Sequence, residues 1–396
     1  MISKPFIVSA LILVFAGSII GSIWMMSLLG ASIPFTLGVF PLHKVFQVDG
    51  FLTLLIMGVG YMIVPRFRNA NLPCLKLAYL SLSLVLLSIT MSIISTIDNI
   101  MIELGRYAHF SGVAIFASIM IWMLRIRPRL LRMADCFIML SIIILLAINA
   151  INLLDVSARN QLSEVQLWLL FPILMIFGIE YKTLPSFLGF IRPVKKLSII
   201  SFGLTTLSVV LGILSSIYGS LALAAIFNII LLGAAITFAF SVYIFGGFDN
   251  KEILRFIEGE KKARYMYTIL HSRLAFIFLY IGISIAAAFS IVENNYILYD
   301  LAIHYVAIGF IGITIALYLP LMLPPITGNM VHFTKFNSIP ILLVVAALAM
   351  RTAGNIVITT QMSSDANYFL MMSGWLIVSA LFLFVTMVRR SKQKMI

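Results

Sequence analysis

Residues 50–65 read GFLTLLIMGVGYMIVP. They carry no charge and sit inside an apolar run from about 42 to 64. A bilayer core about 30 Å thick needs roughly 20 apolar residues in a helix, so the run predicts a transmembrane span. A closely similar segment, LFPILMIFGIEYKTLP, occupies 170–185. Aligned without gaps, the two match at Phe51/Phe171, Leu54/Leu174, Ile56/Ile176, Gly58/Gly178, Tyr61/Tyr181 and Pro65/Pro185, and each continues to a Phe two residues on, Phe67 and Phe187. A third segment, GFIGITIALYLPLMLP at 309–324, keeps Gly309, Phe310, Ile315 and Pro324 in register.

Around these segments the whole chain reads as membrane protein. Of its 396 residues, 62% are hydrophobic and 10% charged; a soluble domain is about 45–50% apolar and about 25% charged. So much apolar surface requires lipid as solvent, and helices satisfy their own backbone there. The apolar run after Lys4 exceeds the roughly 7–15 residues of a signal-peptide core and reads as a retained first span. Windows of spanning length fall near 6–30, 42–64, 74–97, 108–124, 136–154, 164–184, 197–218, 220–246, 270–292, 299–323, 337–358 and 367–388. The expected fold is therefore an all-α membrane protein of about twelve transmembrane helices. The least secure division lies at Tyr218-Gly219-Ser220, where two spans share almost no connection.

Charge placement sets the direction. With the N-terminus inside, 23 of the 27 Lys and Arg fall on the inner side, and Lys44, Arg106, Arg159 and Arg351 lie towards the outside. This follows the positive-inside rule and places both termini in the cytoplasm. The net charge of +13 is thus a topology signal with attraction to anionic lipid, and does not predict nucleic-acid binding. The stretch 247–269, between spans eight and nine, suits either a short helix on the inner surface or a solvated linker. Cys74 and Cys136 have no metal or redox spacing and read as ordinary side chains near a membrane surface.

The matched segments are spans two, six and ten, one every four helices. They predict three pseudo-symmetric four-helix modules, roughly 1–130, 131–265 and 266–396, in one polytopic domain.

Three blocks carry a resemblance: HKVFQVDGFLTLLIMGVGYMIVPRF (His43–Phe67), LLFPILMIFGIEYKTLPSFLGF (Leu169–Phe190) and Asp300 through His304 to Gly309. With them the chain resembles the NnrS-like family, related to heme-copper oxidase subunit I, whose twelve helices form three groups of four. The resemblance implies a heme-binding protein of the cell (plasma) membrane, with a role in nitric oxide response or membrane electron transfer. It also implies a b-type heme held by histidines of spans two and ten near the outer face, here His43 and His304. Two departures stand out: the family pattern has a second His where this chain has Val45, and another His is common where Met62 stands. Spans six and seven carry no His at all, so no copper site is expected, and a proton-pumping terminal oxidase is rejected.

Five histidines are available, His43, His109, His271, His304 and His332. Intramembrane imidazole is a functional candidate because lipid offers it no hydrogen bonds. Asp300 precedes His304 by four residues, on the same helical face, and is placed to orient it. His43 stands seven residues before Gly50 but His304 only five before Gly309, and two residues turn a helix by about 200°. Simple pseudo-symmetry therefore does not aim both rings inward. His109, beside Arg106, is an alternate axial ligand or an interfacial helix-start residue. Arg106 and Arg351 are candidate propionate partners, and Asp49 is another candidate partner for Arg351. His271 is expected to be structural or lipid-contacting, and His332 to be solvated. Glu180 and Lys182 read as snorkelling at the inner end of span six. Asn149, Asn152 and Asp155 line one stripe of span five and predict a helix–helix polar seam.

Two further classes stay open on these residues. One is a cofactor-free accessory subunit of a membrane respiratory or oxidoreductase complex, with other subunits as partners beside the lipid bilayer. The other is a secondary transporter, since twelve spans and internal repeats occur there too.

Overall fold

The computed structural model describes residues 2–28, 39–94, 100–126, 132–153, 161–188, 192–246, 255–292, 296–327, 329–359 and 366–394. Among them twelve helices are long and apolar enough to cross a membrane. The protein is a multi-pass all-α membrane protein.

The helices are α1 (Ser3–Leu28), α3 (Leu75–Ile94), α4 (Ile100–Arg125), α5 (Met133–Leu153), α6 (Gln161–Leu188), α7 (Lys195–Tyr218), α8 (Leu221–Ser241), α9 (Gly259–Phe289), α11 (Ile339–Thr359) and α12 (Ala366–Arg390), with α2 and α10 composite. Helix α2 runs through Val39–Lys44, a π-helical segment Val45–Leu52 and Thr53–Arg68. Helix α10 has the same build: Tyr296–His304, a π-helical segment Tyr305–Gly312 and Ile313–Thr327. Two short strands, β1 (Asn329–Val331) and β2 (Lys392–Lys394), pair antiparallel with Val331 opposite Lys392.

The connection at 218–220 is as short as the sequence implies. Gly219 turns left-handed at φ 67°, which costs glycine nothing, and Ser220 caps α8 by accepting the Leu223 N–H at 3.3 Å. The region 247–269 departs from expectation in its second part. Residues 259–269 are the first turns of α9, a 31-residue helix continuous with span nine. Nothing after Gly259 breaks helical continuity, so the charged turns extend the span; residues 247–254 lie outside the described set.

The described residues form two compact units, one of 1–131, 141–156 and 353–378, the other of 132–140, 157–352 and 379–396. In the first, α2 is apolar on every side and buried from Gly50 through Pro65, as a helix of that pattern must be. Tyr61 packs edge-on between Phe6 and Phe116, both at 5.2 Å, and its hydroxyl meets Ser81 at 3.0 Å. In the second, α6 is the most enclosed span. Gln166 and Asn228 exchange amide hydrogen bonds of 2.7 and 3.0 Å between α6 and α8. Phe177 stacks on Phe238 at 3.9 Å and on Phe276 at 6.0 Å.

The repeat glycines share a packing role. A Cβ on Gly58 would lie 2.8 Å from Phe6 of α1, and one on Gly178 would lie 2.8 Å from the Ala134 carbonyl of α5. At the other matched pair, a Cβ on Gly50 would meet Leu13 of α1 at 2.8 Å, and one on Gly309 would meet Phe278 of α9 at 2.7 Å. Each repeat glycine therefore admits the helix that immediately precedes its own, which is how small residues bring membrane helices together.

Candidate functional site

A buried polar cluster of the second unit lies at the start of α10. Asp300 and His304 stand one turn apart, where i and i+4 side chains meet. The His304 Nδ1–H donates to the Asp300 carbonyl at 2.7 Å, and the same nitrogen is 3.2 Å from Asp300 Oδ1. Both neighbours are acceptors, so in the neutral ring Nδ1 carries the hydrogen and Nε2 the lone pair. Arg351 of α11 completes the cluster. Its Nε donates to Asp300 Oδ2 at 2.7 Å and its Nη2 to Oδ1 at 2.6 Å, with side-chain exposures of 11% and 6%. Tyr305, the next residue after His304, bonds Thr352, the next residue after Arg351, at 2.9 Å. Two consecutive residues on each helix thus lock α10 to α11. Asp300 and His304, which their spacing puts on one helical face, are in contact, and the bidentate partner of Arg351 is one the spacing did not indicate.

In the first unit His43 lies against α1. Its Nδ1–H donates to the Gly17 carbonyl at 2.7 Å, and its ring covers Gly21 so closely that a Cβ there would be 2.5 Å from Cε1 and from Nδ1. Gln47, one turn on, reaches Ser18 Oγ at 3.1 Å. His43 therefore has the same tautomer as His304, with Nε2 as the lone-pair nitrogen of the neutral ring. Each of the two π-helical segments begins within two residues of one of these histidines. Such segments are uncommon and are enriched at functional sites. Counting back from the matched glycines, the α2 position equivalent to His304 is Val45, so the two histidines are not repeat-equivalent.

His109 is buried in α4, and both ring nitrogens face protein acceptors. Nδ1 is 2.6 Å from Asn149 Oδ1, and Nε2 is 3.3 Å from the Asp49 carbonyl. The Asn149 amide is itself fixed by donating to the Leu145 carbonyl at 2.8 Å. That Asp49 carbonyl belongs to the π-helical segment. The Thr53 N–H bonds Val48 O, where regular α-helical pairing would have taken Asp49 O. Of the polar stripe Asn149, Asn152 and Asp155 that predicts a helix–helix seam on span five, Asn149 makes such a contact, to His109 of α4; Asp155 lies outside the described residues.

The other candidates are placed as follows. Arg106 pairs with Glu103 on the exposed surface of α4 at 2.7 Å. His271 is buried, donates to the Tyr267 carbonyl at 2.8 Å and lies edge-on to the Tyr267 ring at 4.4 Å, so its role is packing. His332 is only half-exposed, 3.6 Å from Glu260 Oε2, and is not fully solvated. Glu260 also accepts the backbone N–H groups of Phe333 and of Thr334, the latter at 3.4 Å, tying the first turn of α9 to the segment after β1.

Glu180 departs most from expectation. It is 1% exposed, and its Oε2 has no hydrogen-bond partner. Snorkelling fails because α6 continues through Pro185 to Leu188, which leaves the carboxyl inside the helix packing. Compared as a whole sequence, the chain matches no family model, and no curated protein matches it.

Proposed function

We propose that the chain is a heme-binding integral membrane protein of the NnrS-like kind, acting in nitric oxide response or electron transfer at the plasma membrane. Its four-helix modules are oriented with both termini in the cytoplasm. The observation that carries the reading is the His304 ring, held at Nδ1 by Asp300 while Arg351 holds Asp300 in turn. A metal-ligating imidazole is ordinarily fixed in this way through its other nitrogen. His43 supports it from the first unit, with the same nitrogen engaged. His109 does not, because both of its nitrogens are engaged by carbonyl oxygens. When bound, the heme supplies an iron able to take up a diatomic gas or pass one electron. The protein's part is to fix the imidazoles and to hold charge near them.

The test is the absorption spectrum of detergent-purified protein from heme-replete cells. A Soret band is expected, weakened separately by His304→Ala and by His43→Ala. Folded protein without heme overturns the reading, and a stable co-purifying partner in that preparation would favour an accessory subunit instead.

A further inference from the structure

Away from the histidines, the second unit gathers charge where β1 and β2 pair. Three segments meet there: the first turns of α9, residues 329–337, and the end of α12 with the strand that follows it. The His332 N–H donates to the Ser391 carbonyl at 3.1 Å, and Val331 pairs with Lys392 in the sheet. Glu260 accepts the Thr334 N–H at 3.4 Å and the Thr334 hydroxyl at 3.3 Å. Beside this joint Phe333 and Phe336 flank the Tyr267 ring at 6.0 and 5.4 Å, and the Asn337 N–H reaches Met387 Sδ at 3.4 Å.

Six exposed basic residues stand within two residues of these contacts. Lys261 and Lys262 follow Glu260, Lys335 follows Thr334, and Arg389, Arg390 and Lys392 surround Ser391. Among the described residues none of the six side chains makes a hydrogen bond or an ion pair. The nearby acids leave them uncompensated: Glu260 is engaged by backbone N–H groups and stands beside His332, and exposed Glu258 is matched by exposed Arg255. Like charges drawn together repel, so the joint is built at a cost that a bound anion would remove.

Helix α12 carries the patch into an apolar surface. Phe382 and Leu383 are 63% and 38% exposed, and each stands seven residues before an arginine, Arg389 and Arg390. Seven residues are nearly two full turns, so each apolar column ends at a guanidinium. Val385, 43% exposed, extends the first column. An anion with an apolar tail fits both parts, whereas a soluble anion uses only the charged one.

We propose that this face binds the headgroup of one anionic phospholipid, its phosphate among Lys335, Arg389 and Arg390 and its acyl chains along Phe382 and Val385. Basic pockets at the ends of membrane helices hold such headgroups. The charge bias of the sequence requires only that cations lie on one side of the membrane. It does not require that a sheet and a carboxylate draw six of them together. The proposal is independent of heme and survives the failure of that reading.

The experiment titrates detergent-purified full-length protein with phosphatidylglycerol, or with phosphatidylcholine of the same chains, and counts bound lipids by native mass spectrometry. One phosphatidylglycerol is expected to be retained where phosphatidylcholine is not. Lys335→Gln with Arg389→Gln and Arg390→Gln should weaken retention about a hundredfold, at about fivefold for each charge removed. Lys4→Gln with Arg66→Gln and Lys76→Gln removes three exposed charges of the first unit that the bias predicts on the same side, and should leave retention unchanged. If the first triple variant does not fold, Arg389→Gln alone carries the test with a loss of about fivefold. No retained lipid, equal retention of the two lipids, or equal loss in the two triple variants overturns the proposal. Displacement by glycerol 3-phosphate at the concentration of the lipid also overturns it, in favour of a free phosphate.

Discussion

Arg351 grips Asp300 through two hydrogen bonds of 2.7 and 2.6 Å, and the same carboxylate stands 3.2 Å from His304. One buried anion therefore joins two helices and fixes a histidine ring. Bidentate geometry gives the pair direction as well as strength. The pair is costly to desolvate and costly to break, so its value lies in where it holds the imidazole.

Breaking the pair from one side is expected to destabilise the protein by about 3–5 kcal/mol, because the remaining charge is buried without compensation. Arg351→Ala should show this loss in an unfolding titration. The double variant Asp300→Leu with Arg351→Met, similar in volume and apolar, should recover most of it. A single variant within about 1 kcal/mol of wild type would show the pair to be screened by water.

Gly21 and Gly203 should respond in opposite directions to the same change. A methyl on Gly21 would lie 2.5 Å from two atoms of the His43 ring, so the ring must leave its 2.7 Å bond to Gly17. Gly21→Ala is expected to cost about 1–3 kcal/mol through overpacking. Gly203, within α7, has nothing within 4 Å of the added methyl. Gly203→Ala should stabilise by about 0.5–1 kcal/mol from helix propensity. Thermal unfolding of the two variants decides both, and a milder loss at Gly21 than gain at Gly203 would refute the packing described for His43.

The contact between His109 and Asn149 is measurable by a double-mutant cycle. Polar contacts between membrane helices average about 0.6 kcal/mol in such cycles and reach about 1.7. The 2.6 Å bond is buried, so the coupling between His109→Ala and Asn149→Ala should fall in the upper half of that range. A coupling near zero would mean that the imidazole finds an equal partner when Asn149 is gone.

What could be read in advance divides along physical lines. Spans are legible because each is a long apolar run with few charges, and even the two-residue joint at Gly219-Ser220 shows in the sequence. Asp300 and His304 were legible together because four residues make one helical turn. The Arg351–Asp300 bond crosses 51 residues and the His109–Asn149 bond crosses 40, and no local pattern encodes either. The π-helical segments carry no distinctive residue types, so they emerge only from backbone pairing. Glu180 is not legible in this way: the apolar run puts it at the inner end of span six, but α6 continues past Pro185 for another three residues.

Orientation can be tested with a native residue. Cys74 is exposed in the connection between α2 and α3, which the charge bias predicts to be cytoplasmic, and Cys136 is half-buried in α5. In a Cys136→Ser background, a membrane-impermeant maleimide should leave Cys74 unlabelled in intact cells and label it in inverted vesicles. Labelling from outside would reverse every span. The His304 cluster would then move to the cytoplasmic side. The geometry within each unit would be unchanged, but the direction of any chemistry built on it would invert.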